Sequence, residues 1–162
     1  MKQEDYSRRE NLRFYNIPEN AQESNEDCVQ KVKQVLSDLG VPSDIKFHAI
    51  HRTGKPNINY EASSTSEGEP RPRPILVRFV SRMASESIWF KRKELRKSLR
   101  FSTMLIDKDL SPESARERAK LRAAYKKAKD LNIDKVFIKG KNLIINSSKY
   151  LVNNLPEYLL VH

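Results

Sequence analysis

The sequence predicts an α+β fold in two domains. Three observations lead to this expectation: short runs in which apolar and polar residues alternate, longer runs with apolar residues at helical spacing, and the order of the two kinds along the chain. That order is strand, helix, strand, strand, helix, strand, then a helix and three short strands. We expect a first domain over residues 11–109, a helix-plus-meander domain over residues 110–162, and an N-terminal flank over residues 1–10.

The first predicted strand carries the most informative side chains. Alternation directs Leu12, Phe14 and Asn16 to one face and Arg13 and Tyr15 to the other. A cation beside an aromatic ring suits a single strand of nucleic acid, because phosphates attract the charge and any base can stack on the ring. This face is the first candidate site.

The segments that follow complete the first half of the domain. Ser24 is placed to cap a helix that Gly40 ends, and a second strand covers about residues 44–52. The alternation of that strand is imperfect, which indicates a bulge and leaves the direction of its side chains open. Residues 53–72 are polar and rich in Ser, Glu, Pro and Gly, so we expect a long mobile loop with cationic edges.

A third strand, a basic helix and a fourth strand complete the first domain. The third strand covers residues 74–80, the helix residues 82–97 and the fourth strand residues 103–107. The apolar residues of the helix, at helical spacing, are Ile88, Trp89, Leu95 and Leu99. This order predicts an antiparallel sheet with the first and third strands at its centre, both helices on one face, and the other face open.

The second domain begins with a clear helix signal. Ser111 is a capping residue and Pro112 suits the first helical position. The predicted buried stripe of this helix consists of Leu121, Ala124, Tyr125, Ala128 and Leu131. Strands at residues 136–139, 142–145 and 149–152 then form a meander.

The composition favours a nucleic-acid-binding protein. The 162 residues contain 31 basic and 21 acidic side chains, a net charge of +10. Such an excess is first tested as a nucleic-acid footprint, with solubility as the alternative explanation. The single cysteine, Cys28, excludes an internal disulfide, and we interpret it as a packing residue. We find neither a bilayer-length apolar run nor a secretory leader, so we expect an intracellular, soluble protein. We also expect neither a cofactor nor a metal.

The first and third strands resemble those of the RNA-recognition motif. Residues 12–17 match the first-strand pattern of that motif and residues 77–79 the end of its third strand. However, Arg13, Pro74 and Leu76 occupy the positions of the stacking rings. The sequence therefore predicts an RNA-recognition fold whose binding depends on phosphate contacts, with weak sequence selectivity and a steep salt dependence.

A longer series of segments resembles the first open-reading-frame protein of LINE-type retrotransposons. In matching order these are residues 8–19, 51–55, 73–79, 109–111, 149–152 and 155–157. The resemblance implies an RNA-recognition domain and a small C-terminal domain that together hold single-stranded RNA, and single-stranded DNA as a related ligand. It also implies RNA packaging and nucleic-acid chaperoning rather than catalysis, in a cytoplasmic ribonucleoprotein that also enters the nucleus. The family has a trimerising coiled coil upstream, whose end residues 1–10 would form, and self-association is expected through it.

The candidate binding residues come from the residue patterns and from this resemblance. The resemblance assigns Arg9, Asn11 and Arg13 to RNA contact on the first strand. It also implies roles for Arg52 and Arg73 beside the mobile loop, Arg92 on the second helix, Arg118 on the C-terminal helix, and Lys139 and Lys141 on the terminal hairpin. The residue patterns add Tyr15, Lys55, Arg71, Arg78, Arg116 and Arg122.

Structural alternatives exist for the main candidates. Arg13 could pair with Glu10 or Glu19 at the surface, and Arg52 and Arg73 could hold only the ends of the loop. A charged helix is usually a solvated helix. The hypothesis of phosphate binding on one sheet face requires guanidinium groups that are not occupied by neighbouring carboxylates.

Two other functions compete with nucleic-acid binding. Asp107 and Asp109 with His48 and His51 would be the only candidates for a metal nuclease site, but their spacing does not match a ligand set, and Asp109 is explained by the turn into the capped helix. We therefore expect no enzymatic activity. The second alternative is a protein–protein interaction module on a degenerate RNA-recognition fold.

Overall fold

The computed structural model describes residues 3–56 and 71–160, and the expectations for residues 57–70 lie outside this range. The chain divides into two compact units, Met1–Asp109 and Leu110–His162. The described residues contain four α-helices and two antiparallel sheets, which confirms the α+β class.

Unit 1 contains a four-stranded sheet in the order β2-β3-β1-β4. All three strand pairs are antiparallel. Its elements are α1 (Gln3–Ser7), β1 (Asn11–Tyr15), α2 (Asn25–Asp38), β2 (Phe47–Arg52), β3 (Ile75–Phe79), α3 (Arg82–Lys91), a 3-10 helix (Arg92–Lys97) and β4 (Leu105–Lys108).

The core of unit 1 lies on one side of this sheet. Leu12 and Phe14 alternate with half-buried residues along β1, because successive side chains of a strand point to opposite faces. They pack in one cluster with apolar residues of both α2 and α3. Ser24 caps α2 by accepting a hydrogen bond from the backbone of Asp27, whose carboxylate in turn accepts one from the backbone of Ser24. Both long helices therefore cover the same face.

The register of β2 determines where Arg52 points. Pairing with β3 shifts between Phe47 and Ala49, so a bulge lies at His48. Beyond the bulge, Ile50 is buried in the core and Arg52 follows two residues later. Arg52 therefore lies on the helix-covered side of the sheet, away from Arg13.

Two residues that helical spacing placed in the apolar stripes of their helices are exposed. The α-helix ends at Lys91, and the following 3-10 helix buries Leu95 but leaves Leu99 in the exposed segment after it. Likewise, α4 ends at Asp130, so Leu131 follows the last helical turn and is exposed. In both places the predicted helical spacing extends past the end of the α-helix.

Unit 2 packs one helix on a three-stranded meander. Its elements are α4 (Pro112–Asp130), β5 (Val136–Lys139), β6 (Asn142–Ile145) and β7 (Ser148–Tyr150), followed by 3-10 turns Val152–Asn154 and Glu157–Leu159. The side chain of Ser111 caps α4 by accepting from the backbone of Ser114. Leu121, Ala124 and Leu143 lie in the core of the unit.

Candidate nucleic-acid interface

The face of the unit 1 sheet that the helices leave uncovered carries four of the predicted residues. Asn11, Arg13 and Tyr15 alternate with the buried residues of β1, and Arg78 lies opposite Asn11 on β3. The strand pairing places Leu76 on one side of Arg13 and Asp107 on the other. Tyr15, opposite Leu105, is the aromatic ring that β1 contributes to this face.

Arg13 does not stand free on this face, because it pairs with Asp109. The Nε of Arg13 donates to Asp109 Oδ1 at 2.7 Å, and the amide nitrogen of Asn11 donates to Asp109 Oδ2 at 2.9 Å. Arg8 adds a third contact at 3.2 Å. The side chain of Asp109 is only 2% exposed, so these donors stabilise a buried charge. Asp109 was not one of the two carboxylates considered for Arg13.

The carboxylates of Asp109 and Glu4 offset the effect of burial on the pKa of Arg8. Burial by itself would lower the pKa of the Arg8 guanidinium, but the charges of Asp109 and Glu4 and their hydrogen bonds raise it. Asn11 Oδ1, by contrast, is buried without a hydrogen-bond partner among residues 3–56 and 71–160. The amide of Asn11 therefore contributes to the fold mainly through its NH₂ group.

Arg9 is also occupied within its own segment. Its Nε donates to Glu10 at 3.2 Å, and its guanidinium carbon lies 3.6 Å from the centroid of the Tyr6 ring. About a quarter of its side chain stays exposed, so a phosphate that binds Arg9 has to compete with one carboxylate and one ring.

Arg52 is a buried structural residue rather than a nucleic-acid contact. Its side chain is 5% exposed and donates to Glu23 at 2.6 and 3.0 Å. It also donates to the carbonyl oxygens of Ile17, Pro18 and Arg73, at 2.8, 2.7 and 2.6 Å. This arrangement uses all three guanidinium nitrogens, so the predicted role of Arg52 in RNA contact is corrected in favour of the structural alternative.

The carboxylate partner of Arg52 is strongly perturbed. Burial would raise the pKa of Glu23, but hydrogen bonds from Arg52, Lys31 and Cys28 outweigh it and lower the pKa to about 2. The same surroundings act on the thiol in the opposite direction, since burial and the nearby Glu23 raise the pKa of Cys28 to about 11. Cys28 is thus an unreactive packing residue at neutral pH.

Arg73 joins the two ends of the chain that flank residues 57–70. It pairs with Glu19, and its Nη1 donates to the carbonyl of Gly54 at 3.1 Å. The backbone of Thr53 donates to the carbonyl of Pro74 at 3.0 Å. The hydrogen bonds of Arg73 lower the pKa of Glu19 although burial opposes this. Arg73 therefore links the described residues that precede and follow residues 57–70.

The four arginines on which the phosphate hypothesis depended are thus each paired with a carboxylate. They also form separate groups: Arg9 and Arg13 lie near the beginning of β1, whereas Arg52 and Arg73 contact the segment beyond its end. The expectation that these guanidinium groups are unoccupied is wrong, because Arg9 pairs with the adjacent Glu10 and carboxylates distant in sequence reach the other three. Among the predicted residues of unit 1, Lys55, Arg71 and Arg78 are exposed and make no ion pair within the described part of the chain.

Arg92 belongs to a different cluster, on the helix-covered side. Its guanidinium carbon lies 3.5 Å from the centroid of the Trp89 ring, and its Nη1 donates to the carbonyl of Trp89 at 2.7 Å. The Nζ of Lys108 on β4 lies 5.1 Å from the same ring centroid. Arg92 is therefore a cation–π partner of Trp89 and does not join the residues of the open face.

The three arginines predicted on α4 lie on two different flanks. Arg118 and Arg122 are four residues apart and share one side of the buried stripe. Arg116 falls on the other side, in line with Lys120 and Lys127. The helix thus separates these arginines, and a single straight strand of nucleic acid cannot follow all three along one face.

The terminal hairpin exposes both predicted lysines and two residues that the sequence analysis missed. Lys139 ends β5 and Lys141 follows Gly140 in the turn, and both are exposed. Phe137 lies on the same face as Lys139, and Lys149 lies across the meander. Alternation within residues 136–139 already pairs Phe137 with Lys139, and this signal could have identified the ring.

Comparisons with known proteins add nothing to this geometry. No protein-family model and no curated protein matches the chain.

Over residues 3–56 and 71–160, no helix has the length and apolar character to cross a membrane. No cluster of three or more His, Cys, Asp or Glu side chains in that part of the protein could hold a metal ion.

Proposed function

We propose that the chain binds single-stranded RNA, and related single strands of DNA, mainly through phosphate contacts and with weak sequence selectivity. In this proposal unit 1 is an RNA-recognition fold and unit 2 is its small C-terminal partner. The element order of unit 1, its β2-β3-β1-β4 sheet and its two long helices on one face support this assignment. The biological role that follows from the proposed family is packaging and chaperoning of retrotransposon RNA in a ribonucleoprotein, cytoplasmic with a nuclear phase.

The observation that carries the proposal is the uncovered face of the unit 1 sheet. Asn11, Arg13, Tyr15 and Arg78 lie there together, with Leu76 and not an aromatic ring between Arg13 and β2. A sheet face with cations and few rings contacts the sugar-phosphate backbone better than the bases. Weak selectivity among sequences is the consequence.

The ion pairs of this face determine how binding has to occur. A phosphate that reaches Arg13 must share it with Asp109 or displace that carboxylate, so part of the Coulomb gain is lost. Arg78 is exposed without such a competitor in the described residues. We therefore expect Arg78 to contribute more to phosphate affinity than Arg13, although both lie on one face.

The test is a titration of a fluorescent single strand of about 20 nucleotides at about 50 and 200 mM salt. Wild-type affinity should fall steeply between the two salt concentrations, because bound cations release counterions from the strand. Arg78→Ala should weaken binding about fivefold at low salt and reduce the salt slope by about 0.7, as expected for one lost phosphate contact on a single strand.

Arg82→Ala is the matched control. It removes the same charge from α3, where Arg82 forms an exposed pair with Glu86 at 2.9 Å. We expect it to leave affinity close to that of the wild type. A flat salt response of the wild type, or equal effects of the two substitutions, would contradict phosphate binding on the open face.

One observation favours the alternative function, a protein–protein interaction module. Met83 and Phe90 are 80% and 77% exposed and lie seven residues apart, on the side of α3 opposite the buried Ile88. Lys91 and Lys93 follow Phe90, so the partner that fits is an acidic amphipathic helix. If Met83→Gln with Phe90→Gln abolishes binding of such a peptide while the wild type shows no RNA binding, the alternative replaces the proposal.

A further inference from the structure

The outward face of the unit 2 sheet combines an exposed aromatic ring with lysines on strands that carry no carboxylate. The strand pairing of the meander places Phe137 opposite Ile144 and Ile144 opposite Lys149, so these three residues form one row across β5, β6 and β7. Leu143 and Ile145, the neighbours of Ile144 on β6, point to the core against α4. Because side chains alternate along a strand, the row lies on the face turned away from that core.

Phe137 presents its ring to solvent at one end of this row. The side chain is 50% exposed, whereas Ile144 beside it is 6% exposed. Half of the Phe137 side chain therefore stays available for contact. A half-exposed aromatic ring on a sheet that has its own buried core is not needed to build that core.

Two lysines share this face with the ring, and a third lies in the adjoining turn. Lys139 lies two residues further along β5, about 7 Å away, and Lys149 lies two strands away, about 10 Å across the sheet. Lys141 is exposed in the turn that joins β5 to β6. The three strands contain no Asp or Glu, and these lysines form no ion pair in the part of the protein that the structure describes.

The two sheet faces therefore differ in charge balance. On unit 1, Arg13 is paired with Asp109 and lies beside Asp107. On unit 2, the cations beside Phe137 have no carboxylate on their own sheet. An unneutralised cationic surface around an exposed ring attracts a polyanion and offers a stacking surface for a flat, uncharged base.

We propose that Phe137 is a base-stacking residue, and that Lys139 and Lys149 hold the phosphates on either side of the stacked base of a single-stranded nucleic acid. This inference rests on the proposed function and adds a division of roles: unit 1 contacts the backbone, and unit 2 contacts a base. The ring accepts any base, so this contact adds affinity without strong sequence selectivity.

Four variants of the full chain test the role of the ring. Phe137→Ala should weaken binding of a base-bearing strand by about 5- to 30-fold. Phe137→Leu should weaken it as well, because leucine keeps the apolar surface but lacks a π-face. Phe137→Trp should retain affinity, and its added fluorescence should be quenched on binding. Phe90→Ala, which removes an exposed ring from α3, should leave affinity unchanged.

An abasic strand of equal length separates stacking from loss of structure. It carries the same phosphates but no bases, so Phe137→Ala should not change its affinity, whereas Lys139→Gln with Lys149→Gln should weaken both strands and reduce the salt slope. Thermal unfolding of each variant, followed by circular dichroism, should stay near that of the wild type, because the replaced side chains are exposed.

The outcomes distinguish the two proposals. If the wild type binds both strands but Phe137→Ala binds the base-bearing strand as tightly as the wild type does, the stacking role is wrong and the proposed function stands. Equal weakening of base-bearing and abasic strands by Phe137→Ala also overturns stacking. If the wild type binds neither strand, the proposed function fails, and this inference fails with it.

Discussion

Replacing Arg52 by alanine tests whether this residue stabilises unit 1 or contacts nucleic acid. The substitution removes two hydrogen bonds to Glu23 and three to backbone carbonyls, and it leaves the carboxylate of Glu23, 3% exposed, with Lys31 and Cys28 as its remaining partners. Because a buried charge without its partner is expensive, we expect unit 1 to lose about 3–5 kcal/mol of its free energy of unfolding.

The lowered pKa of Glu23, which arises from the same contacts, indicates a stabilisation of the same order. It is lowered from its ordinary 4.5 to about 2 against the opposing effect of burial. At about 1.4 kcal/mol for each pKa unit, this difference corresponds to about 3 kcal/mol of stabilisation of the charged carboxylate, shared among its three donors. Arg52 makes the largest hydrogen-bonding contribution, so its loss should remove a substantial part of this stabilisation.

Urea unfolding followed by tryptophan fluorescence measures the loss of stability of unit 1. Trp89 is the single tryptophan of the chain and lies on α3, so its emission reports on unit 1. Arg82→Ala is again the control, since its exposed pair with Glu86 should contribute less than about 0.5 kcal/mol. A free energy of unfolding of Arg52→Ala within about 1 kcal/mol of the wild type would refute the structural role of Arg52.

Three further substitutions have expected outcomes. The folded-state pKa of Glu23 is lowered, so its stabilisation is present above pH 4.5 and lost as the pH falls toward 2. Glu23→Gln should therefore flatten the decrease of unit 1 stability over this range in acid unfolding monitored by Trp89, and an unchanged pH profile would contradict this. Asp109→Asn should lower the stability of unit 1 by about 1–3 kcal/mol yet tighten RNA binding, because Arg13 and Arg8 lose a competing carboxylate; weaker binding by folded protein would speak against Arg13 as a phosphate contact. Gly140→Ala should destabilise unit 2 by about 1 kcal/mol in thermal circular dichroism, because Gly140 has a φ of +61°, a conformation that strains any residue with a Cβ. An added Cβ would meet no atom within 4 Å, so backbone strain is the only expected cause, and an unchanged melting curve would exclude it.

Local features of the fold were predictable from the sequence because they depend on neighbouring residues. The cap of α2 needs only Ser24 and the residue three positions later, and the cap of α4 needs only Ser111 and Pro112. The alternation around Phe14 likewise contains the information about which side of β1 is buried. The imperfect alternation of β2 indicated a bulge, and the register shift between Phe47 and Ala49 confirms it.

The occupation of the arginines could not be predicted in the same way. Arg13 and its carboxylate are separated by 96 residues, and Arg52 and Glu23 by 29. Nothing in the local pattern indicates such pairs, because they form only when the sheet brings β1 beside β4 and β2 beside the loop before α2. The bulge at His48 added a second difficulty, since it changes which face Arg52 occupies. Charge counting from sequence therefore overstated the number of free cations on unit 1.

The pairing of these arginines changes what the net charge of +10 can do. A guanidinium already bonded to a carboxylate exchanges one anion for another when it binds phosphate, so its contribution to counterion release is small. Uncompensated cations such as Arg78 and the lysines beside Phe137 release counterions without this exchange. The salt slope of the chain should therefore follow the number of cations without a carboxylate partner, and substitution of paired arginines should affect folding more than it affects the slope. Arg52 and Arg78 represent these two extremes within one sheet, and a slope that responded equally to both would show that ion pairing does not decide which cations bind.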